Sequence, residues 1–285
     1  MKKWNKNTKI QKENEELNEI LNGFLIFTDK NREKNSIRDA YNILNDYVDE
    51  IYPNLNNSSE NKNLEDEIKN LKRKKFFFNF ETHCKGIIFI KINKEFKNKI
   101  NPLEICYKLF NDLLLNKNLI SKNIHKLIPI EICCKAKFEI FKEKIKFLIN
   151  KYFNNKNNKN KIKWKIEFRS RNNNSIIKND YLNYTINLIE KDFYEVDYKN
   201  PEKVVFIEIT NNLCCLSVLE KYFEFKCFNI QTVVKSEEEK EKEKLLLNEN
   251  KNKNLNENNE NLNENLNENL NEINEFNENE EIDLI

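Results

Sequence analysis

The sequence predicts a mixed α/β fold in two small lobes, followed by a segment that builds no core. Three observations carry this expectation. Short apolar runs with strand character alternate with stretches whose apolar residues recur every three or four positions. Prolines and polar clusters punctuate these runs. Charge also separates along the chain: from residue 236 onward there are 16 Asp/Glu and 5 Lys/Arg, a net of −11. The remainder then holds 49 − 5 = 44 basic and 47 − 16 = 31 acidic residues, a net of +13. A basic body beside an acidic tail is the footprint of a polyanion binder whose tail competes for the same surface.

The first lobe opens on the apolar run Gly23 to Thr28, a buried strand. Ile37, Tyr41, Leu44, Val48 and Ile51 then line one stripe of a helix, with Ser36 and Asp39 resembling its N-cap signal. Pro53 ends that element, and residues 54–72 are a polar surface loop with a short helix. Phe76 to Phe80 and Gly86 to Ile92 read as two strands. Asn101-Pro102-x-Glu104 is a helix start: an asparagine cap, a proline in the first turn and a carboxylate at the positive end. That helix runs to about Asn116 with Ile105, Leu109 and Leu113 inside. The order β-α-β-β-α predicts a ferredoxin-like lobe.

The second lobe starts near Ile124, with strand-like runs on both sides of Pro129. A helix with Phe141, Ile145, Leu148 and Tyr152 follows, then a loop over 154–161. Trp164 to Arg171 is the clearest strand: Trp164, Ile166 and Phe168 face one side, and Lys165, Glu167, Arg169 and Arg171 the other. Leu182, Ile186 and Ile189 mark a further helix. Val204 to Ile209 and Leu213 to Leu219 form a hairpin around Asn211-Asn212, and a short amphipathic piece spans Tyr222 to Ile230. The tail repeats LNEN with period four; Leu262, Leu266 and Leu270 drift about 40° per step from a helix face. Asparagine is also a poor helix former, so disorder is expected, with a short partner-binding helix as the alternative.

Several function classes are disfavoured. Gly23 and Gly86 are the only glycines, too few for a phosphate-cradling loop or a dinucleotide fingerprint, so no nucleotide cofactor is expected. The seven cysteines form no CxxC pair; they read as reduced core thiols, with no metal site. No window supplies the roughly 20 apolar residues of a membrane helix. The N-terminus lacks a secretory apolar core. An intracellular protein with no membrane partner is expected. His83 and His125 show no orienting carboxylate or nucleophile in sequence and read as ordinary polar residues. The Asn and Lys content carries no weight, because an AT-rich genome would impose it on any protein.

The sharpest feature is Phe168 to Asn174, FRSRNNN. Arg169 and Arg171 leave one strand face at its end, and Asn172, Asn173 and Asn174 follow at a strand-to-helix turn. Guanidinium groups suit phosphates bidentately, and asparagine amides suit bases or sugar hydroxyls. The plain alternative is a solvated strand face with a polar turn. Lys126, Lys135 and Lys137 would extend a phosphate track or stand as ordinary surface lysines.

The stretches GFLIFT with DAYNILNDY, LIPIEICCKA, KIEFRSRNN, and KNPEKVVFIEITNNLCCLSVLEKYFEFKCFNIQTVVKS occur in an order that resembles a known family. The last is the most specific, with V-D-x-x-N-P at Val196 to Pro201, C-C-L-S-V, and F-N-x-Q at Phe228 to Gln231. The family is the THUMP-domain adaptor required for N4-acetylcytidine formation in tRNA. The resemblance implies a ferredoxin-like lobe, here over 23–123, followed by a THUMP domain, here over 124–235; the residues themselves add a flexible N-terminus over 1–22 and a low-complexity acidic tail over 236–285 that stands outside the family pattern. The resemblance implies a non-catalytic protein that binds tRNA and presents serine and leucine tRNAs to an RNA cytidine acetyltransferase. That partner would use acetyl-CoA and ATP to modify a cytidine in the D-arm. Residue by residue, the family's basic pre-proline position falls on Lys126, its C-K-A lysine on Lys135 and its S-R-N-N on Ser170 to Asn173, preceded here by Arg169. Asp29 stands where the family often has cysteine, and Lys126 where it has arginine. The combined RNA-binding set is Lys126, Lys135, Lys137, Arg169, Arg171, Asn172 and Asn173, and the expected location is nuclear or nucleolar, with the cytoplasm as the alternative. Two rivals stand beside it. One is an RNA-modifying enzyme, disfavoured because the 50 or so residues after Ser236 are too few for a further domain. The other is a structural factor in ribosome assembly.

Overall fold

β1 (Leu21–Thr28) is buried along most of its length, as the run LNGFLIFT requires. It is followed by α1 (Glu33–Ile51), β2 (Phe77–Phe80), β3 (Ile87–Ile92), α2 (Pro102–Asn116) and β4 (Ile124–Lys135). The computed structural model describes residue 17 and residues 20–55, 75–154 and 161–235. Most of the N-terminal segment, most of the polar 54–72 loop, residues 155–160 and the 236–285 tail therefore lie outside the described residues. The strands pair in the order β2-β3-β1-β4 with every neighbour antiparallel, which is the ferredoxin-like arrangement.

β4 does not stop there. It pairs with β1 as far as Cys133 and, from Ile132 onward, with the strand Leu213–Glu220. The chain continues through α3 (Phe138–Tyr152), β5 (Ile162–Arg171), α4 (Lys178–Asn187), β6 (Tyr194–Val196), β7 (Lys203–Thr210), β8 (Leu213–Glu220) and α5 (Ile230–Val234). One eight-stranded sheet results, ordered β2-β3-β1-β4-β8-β7-β5-β6. Pro129 lies within β4 opposite Phe24, and the strand runs straight through it. The ladder to β8 begins only at Ile132, so Pro129 stands at an edge-like position where a missing N–H is tolerated. β7 and β8 form the expected hairpin, with Asn211 in the left-handed region at φ 53°.

The period of two sorts the sheet into two cores. Ile132, Cys134, Trp164, Val205, Ile207, Cys214 and Leu216 pack with α3 and α4. Their neighbours Cys133, Val204, Phe206, Leu213, Cys215 and Leu219 face the other core, which also holds the first lobe. The adjacent cysteines therefore split between faces, and Cys133 and Cys215 meet across the strands at 3.7 Å between sulfurs. All seven cysteines are free thiols. The C-terminal segment closes this second core: Phe225 and Phe228 pack on Tyr107 and Phe110 of α2, with Phe110–Phe228 centroids at 5.1 Å. Gly23 is required by close approach, since a Cβ there would lie 2.0 Å from the Ile90 carbonyl oxygen.

Two local expectations are corrected. α1 begins at Glu33, not at a Ser36 cap. The Glu33 carboxylate accepts the Gly86 N–H at 2.9 Å, and that bond holds it below the usual carboxylate range. Ser36 is buried inside the helix, 2.6 Å from Thr28 Oγ1 and 3.1 Å from the Asn123 carbonyl. In α4 the buried positions are Tyr181 and Thr185, with Ile189 just beyond the helix, and Leu182 and Ile186 are only half-buried. Tyr181 wins because its ring joins Phe138, Phe141 and Phe168, while Thr185 satisfies its hydroxyl on the Tyr181 carbonyl at 2.8 Å. β6, a three-residue strand parallel to β5, carried no readable pattern.

Candidate nucleic-acid interface

The alternation along β5 decides which side chains meet. Trp164 is buried against α3 and α4, with Ile166 and Phe168 packed beside it. Lys165, Glu167, Arg169 and Arg171 must then emerge on the opposite face. Arg169 lies beside Glu208 of β7, and Arg171 beside Thr210. On this face Lys165 Nζ and Arg169 Nη2 bracket Glu167 at 3.1 and 3.0 Å. Burial works against the Glu167 charge, but the bonds from Lys165 and Arg169 outweigh it and hold its carboxyl below the usual range.

Arg171 is held from two directions. Its Nε is 3.2 Å from Glu208 Oε1, and its Cζ lies 5.3 Å from the centre of the Phe27 ring on β1. Glu208 itself is fully buried, and among the described residues neither of its oxygens has an aligned hydrogen bond. Burial pushes its carboxyl up, opposed by the charges of Arg171, Arg169 and Lys126. Lys126, half-buried on β4, faces the same group. Burial lowers its pKa, and the positive charge of Arg169 adds to that. Lys126, Arg169 and Arg171 therefore converge on one spot where the first lobe meets the end of β5, and Lys165 stands beyond Glu167 on the same strand face. Four cations face two carboxylates, so the cluster keeps net positive charge.

The remaining predicted residues are distributed around this cluster. Asn172 has φ 52° and donates from Nδ2 to Cys84 Sγ at 3.3 Å, tying the strand end to the β2–β3 loop of the first lobe. Asn173 is committed to the turn: Nδ2 donates to the Asn211 carbonyl at 2.7 Å, and Oδ1 accepts from the Ser175 N–H and hydroxyl. The helix expected directly after Asn174 begins only at Lys178, with no side-chain cap at Ile177, so its dipole does not adjoin the arginines. Lys135 shares a cross-strand row with Leu213, Thr210 and Arg171, which sets it three strand spacings, ~14 Å, from Arg171. Lys137 is exposed at the start of α3. The two lysines extend the basic surface rather than join the cluster.

His125 has a carboxylate partner that sequence did not reveal: Nε2 lies 2.9 Å from Asp29 Oδ1. Glu208 was also missed, although it is the one charge inside the buried run Val204–Thr210, and that oddity was its signal. Among the described residues no group of His, Cys, Asp or Glu could hold a metal ion. No described helix is long and apolar enough to cross a membrane. An open depression of about 570 Å³ lies at the far end of β7 and β8, lined by Glu202, Lys203, Glu220 and Lys221, away from the arginines.

Comparison with known proteins adds the following. The THUMP domain family matches residues 135–219. THUMP domain-containing protein 1 of Mus musculus is 27% identical over 240 residues, covering 77% of this chain and 66% of that protein. The tRNA acetyltransferase TAN1 of Saccharomyces cerevisiae is 26% identical over 166 residues, covering 55% of this chain and 56% of that protein. The chain thus spans just under two thirds of the first of these and a little over half of the second. The solution structure of the THUMP domain of THUMP domain-containing protein 1 is 27% identical, covering 29% of this chain and 83% of that one, with a TM-score of 0.23.

Proposed function

We propose, from the THUMP domain that this chain carries at residues 135–219, that it is a tRNA-binding adaptor. It holds tRNA and presents it to an RNA cytidine acetyltransferase, which forms N4-acetylcytidine in the D-arm of serine and leucine tRNAs. The observation that carries the RNA-binding part is the convergence of Lys126, Arg169 and Arg171 on one partly open site. Arginines at a strand end suit phosphate oxygens, and charge-assisted bonds to phosphate are the strong ones. Lys135 and Lys137 lengthen the track, and Asn172 and Asn173 shape the loop that borders it. The reading assigns no chemistry to this chain. The rate gain comes from effective concentration, because bound tRNA is placed beside the partner enzyme. The name of the yeast relative supports the link to tRNA acetylation. In the same proposal the protein works in the nucleus or nucleolus.

The test has two parts. Arg169→Ala with Arg171→Ala should weaken binding of unfractionated tRNA by an amount on the order of 1–3 kcal/mol, measured by fluorescence anisotropy. Its log-affinity against log-salt slope should also flatten, by roughly 0.7–0.9 per lost phosphate contact. Unchanged affinity and slope would refute the site. Nucleoside mass spectrometry of tRNA after gene deletion should show loss of N4-acetylcytidine; its persistence would refute the adaptor role. Crosslinking that recovers ribosomal RNA and no tRNA would favour a ribosome-assembly factor instead.

A further inference from the structure

A carboxylate in the middle of a buried strand costs free energy unless something offsets it. Glu208 lies in the run VVFIEIT and is fully buried, flanked by the buried Phe206, Ile207 and Ile209. It does not complete a hydrogen-bond network, because neither oxygen has an aligned partner among the described residues. Thr210 and Ser217, on the same face of β7 and β8, have hydroxyls without a partner among the described residues and offer it none. What Glu208 does face is charge: Arg171 Nε at 3.2 Å, with Arg169 and Lys126 also close enough to act on it.

We propose that Glu208 is a positioning residue of the RNA-binding cluster: its buried carboxylate anchors the Arg171 guanidinium against the Phe27 ring, in the orientation that receives phosphate. The proposal rests on the reading of Lys126, Arg169 and Arg171 as an RNA site. The geometry supplies the mechanism. Contact through Nε uses the inner edge of the guanidinium, and the ring 5.3 Å from Cζ flanks the group. The side chain remains 44% exposed. An arginine held this way loses less freedom on binding than one waving in solvent, so more of each contact survives as affinity. The design also tolerates three neighbouring cations at close quarters, since a buried anion beneath them offsets their mutual repulsion.

The sign of one substitution separates positioning from bulk electrostatics. Glu208→Gln removes a negative charge beside a polyanion site, so charge alone predicts tighter RNA binding. Positioning predicts weaker binding, by about five-fold, close to the loss expected for Arg171→Ala. Anisotropy titrations with unfractionated tRNA would compare the parent protein, Glu208→Gln, Arg171→Ala and the double variant, at about 0.1 M salt. Circular dichroism would first establish that each is folded. The expected result is that Glu208→Gln binds more weakly and adds nothing to Arg171→Ala, because the two act as one unit. Binding by Glu208→Gln that is equal to or tighter than the parent, with Arg171→Ala weakened, would overturn the positioning role and leave the site intact. A loss from Glu208→Gln that persists undiminished in the Arg171→Ala background would overturn it too. If Arg171→Ala binds normally, and so does the Arg169→Ala with Arg171→Ala variant, the RNA-site reading itself falls.

Discussion

Replacing Arg171 with alanine should cost stability in a pH-dependent way, and the size follows from the Glu208 pair. Removing one partner of a buried ion pair typically costs about 3–5 kcal/mol, because a buried charge is left uncompensated. The Arg171 side chain is 44% exposed, so water already screens the cation side of this pair. A fair expectation is about 1–3 kcal/mol at pH 7. Glu208 has an escape, which is to bind a proton. Burial already pushes its carboxyl up, and losing Arg171, its strongest opposing charge, pushes it further. A carboxyl whose folded pKa lies above its unfolded value of about 4.3 takes up a proton on folding. Stability from that uptake is fully present below the unfolded value and declines as pH rises through the folded value. The Arg171→Ala penalty should therefore be largest near pH 7 and shrink toward pH 5. Urea unfolding followed by tryptophan fluorescence would read it: for a loss of about 2 kcal/mol and a slope of about 2 kcal/mol/M, the midpoint falls by ~1 M. Adding Glu208→Gln to Arg171→Ala should restore most of the midpoint, since no buried charge remains to be paired. An unchanged midpoint at pH 7 would refute the reasoning, as would a penalty equal at pH 5 and pH 7 that Glu208→Gln does not relieve.

Three further outcomes concern the scaffold. Gly23→Ala forces a Cβ to within 2.0 Å of the Ile90 carbonyl oxygen, so β1 and β3 must part. A loss on the order of 3–5 kcal/mol is expected, seen as a large fall in thermal midpoint; a shift of under a degree or two would show that the strands yield. Phe228→Ala empties the aromatic cluster on α2 and should cost about 3–5 kcal/mol in denaturant unfolding. A near-neutral effect there would mean the C-terminal segment is not part of the core. Asp197 accepts the Asn200 and Lys199 N–H groups at 3.0 and 2.8 Å and faces Lys163, and these bonds lower its pKa to about 2. Its stabilisation is present above the unfolded carboxyl value and is lost as pH falls toward 2, so Asp197→Ala should flatten the acid limb of the stability–pH curve. Parallel acid limbs for the two proteins would count against it.

Local pattern makes much of this protein readable from its sequence. The period of two along Trp164–Arg171 put the aromatic residues on one side and both arginines on the other, because a strand alternates its side chains whatever it packs against. Asn101 and Pro102 announced α2 for an equally local reason: the asparagine Oδ1 accepts the Leu103 N–H at 3.0 Å, within two residues of itself. The order of elements gave the ferredoxin-like arrangement, and the count of charges gave a basic body. Where local signals competed, sequence chose wrongly. Ser36 looked like a cap, and only the contact between Glu33 and Gly86, distant in sequence, moved the helix start.

The site needed tertiary structure because its members belong to different strands. Nothing near Lys126 in the chain says that it faces Arg169, nor that Phe27 flanks Arg171; the fold of β1 and β4 against the end of β5 decides both. The same holds for Lys135, which sequence grouped with Lys126 and which the sheet carries to a separate row. Sequence by itself determined which face each arginine leaves and that the body is basic, since alternation and composition are local properties. Only the tertiary structure decided which cations share a site and that a buried Glu208 sits beneath them, since proximity between strands depends on pairing and register, which the chain does not display residue by residue.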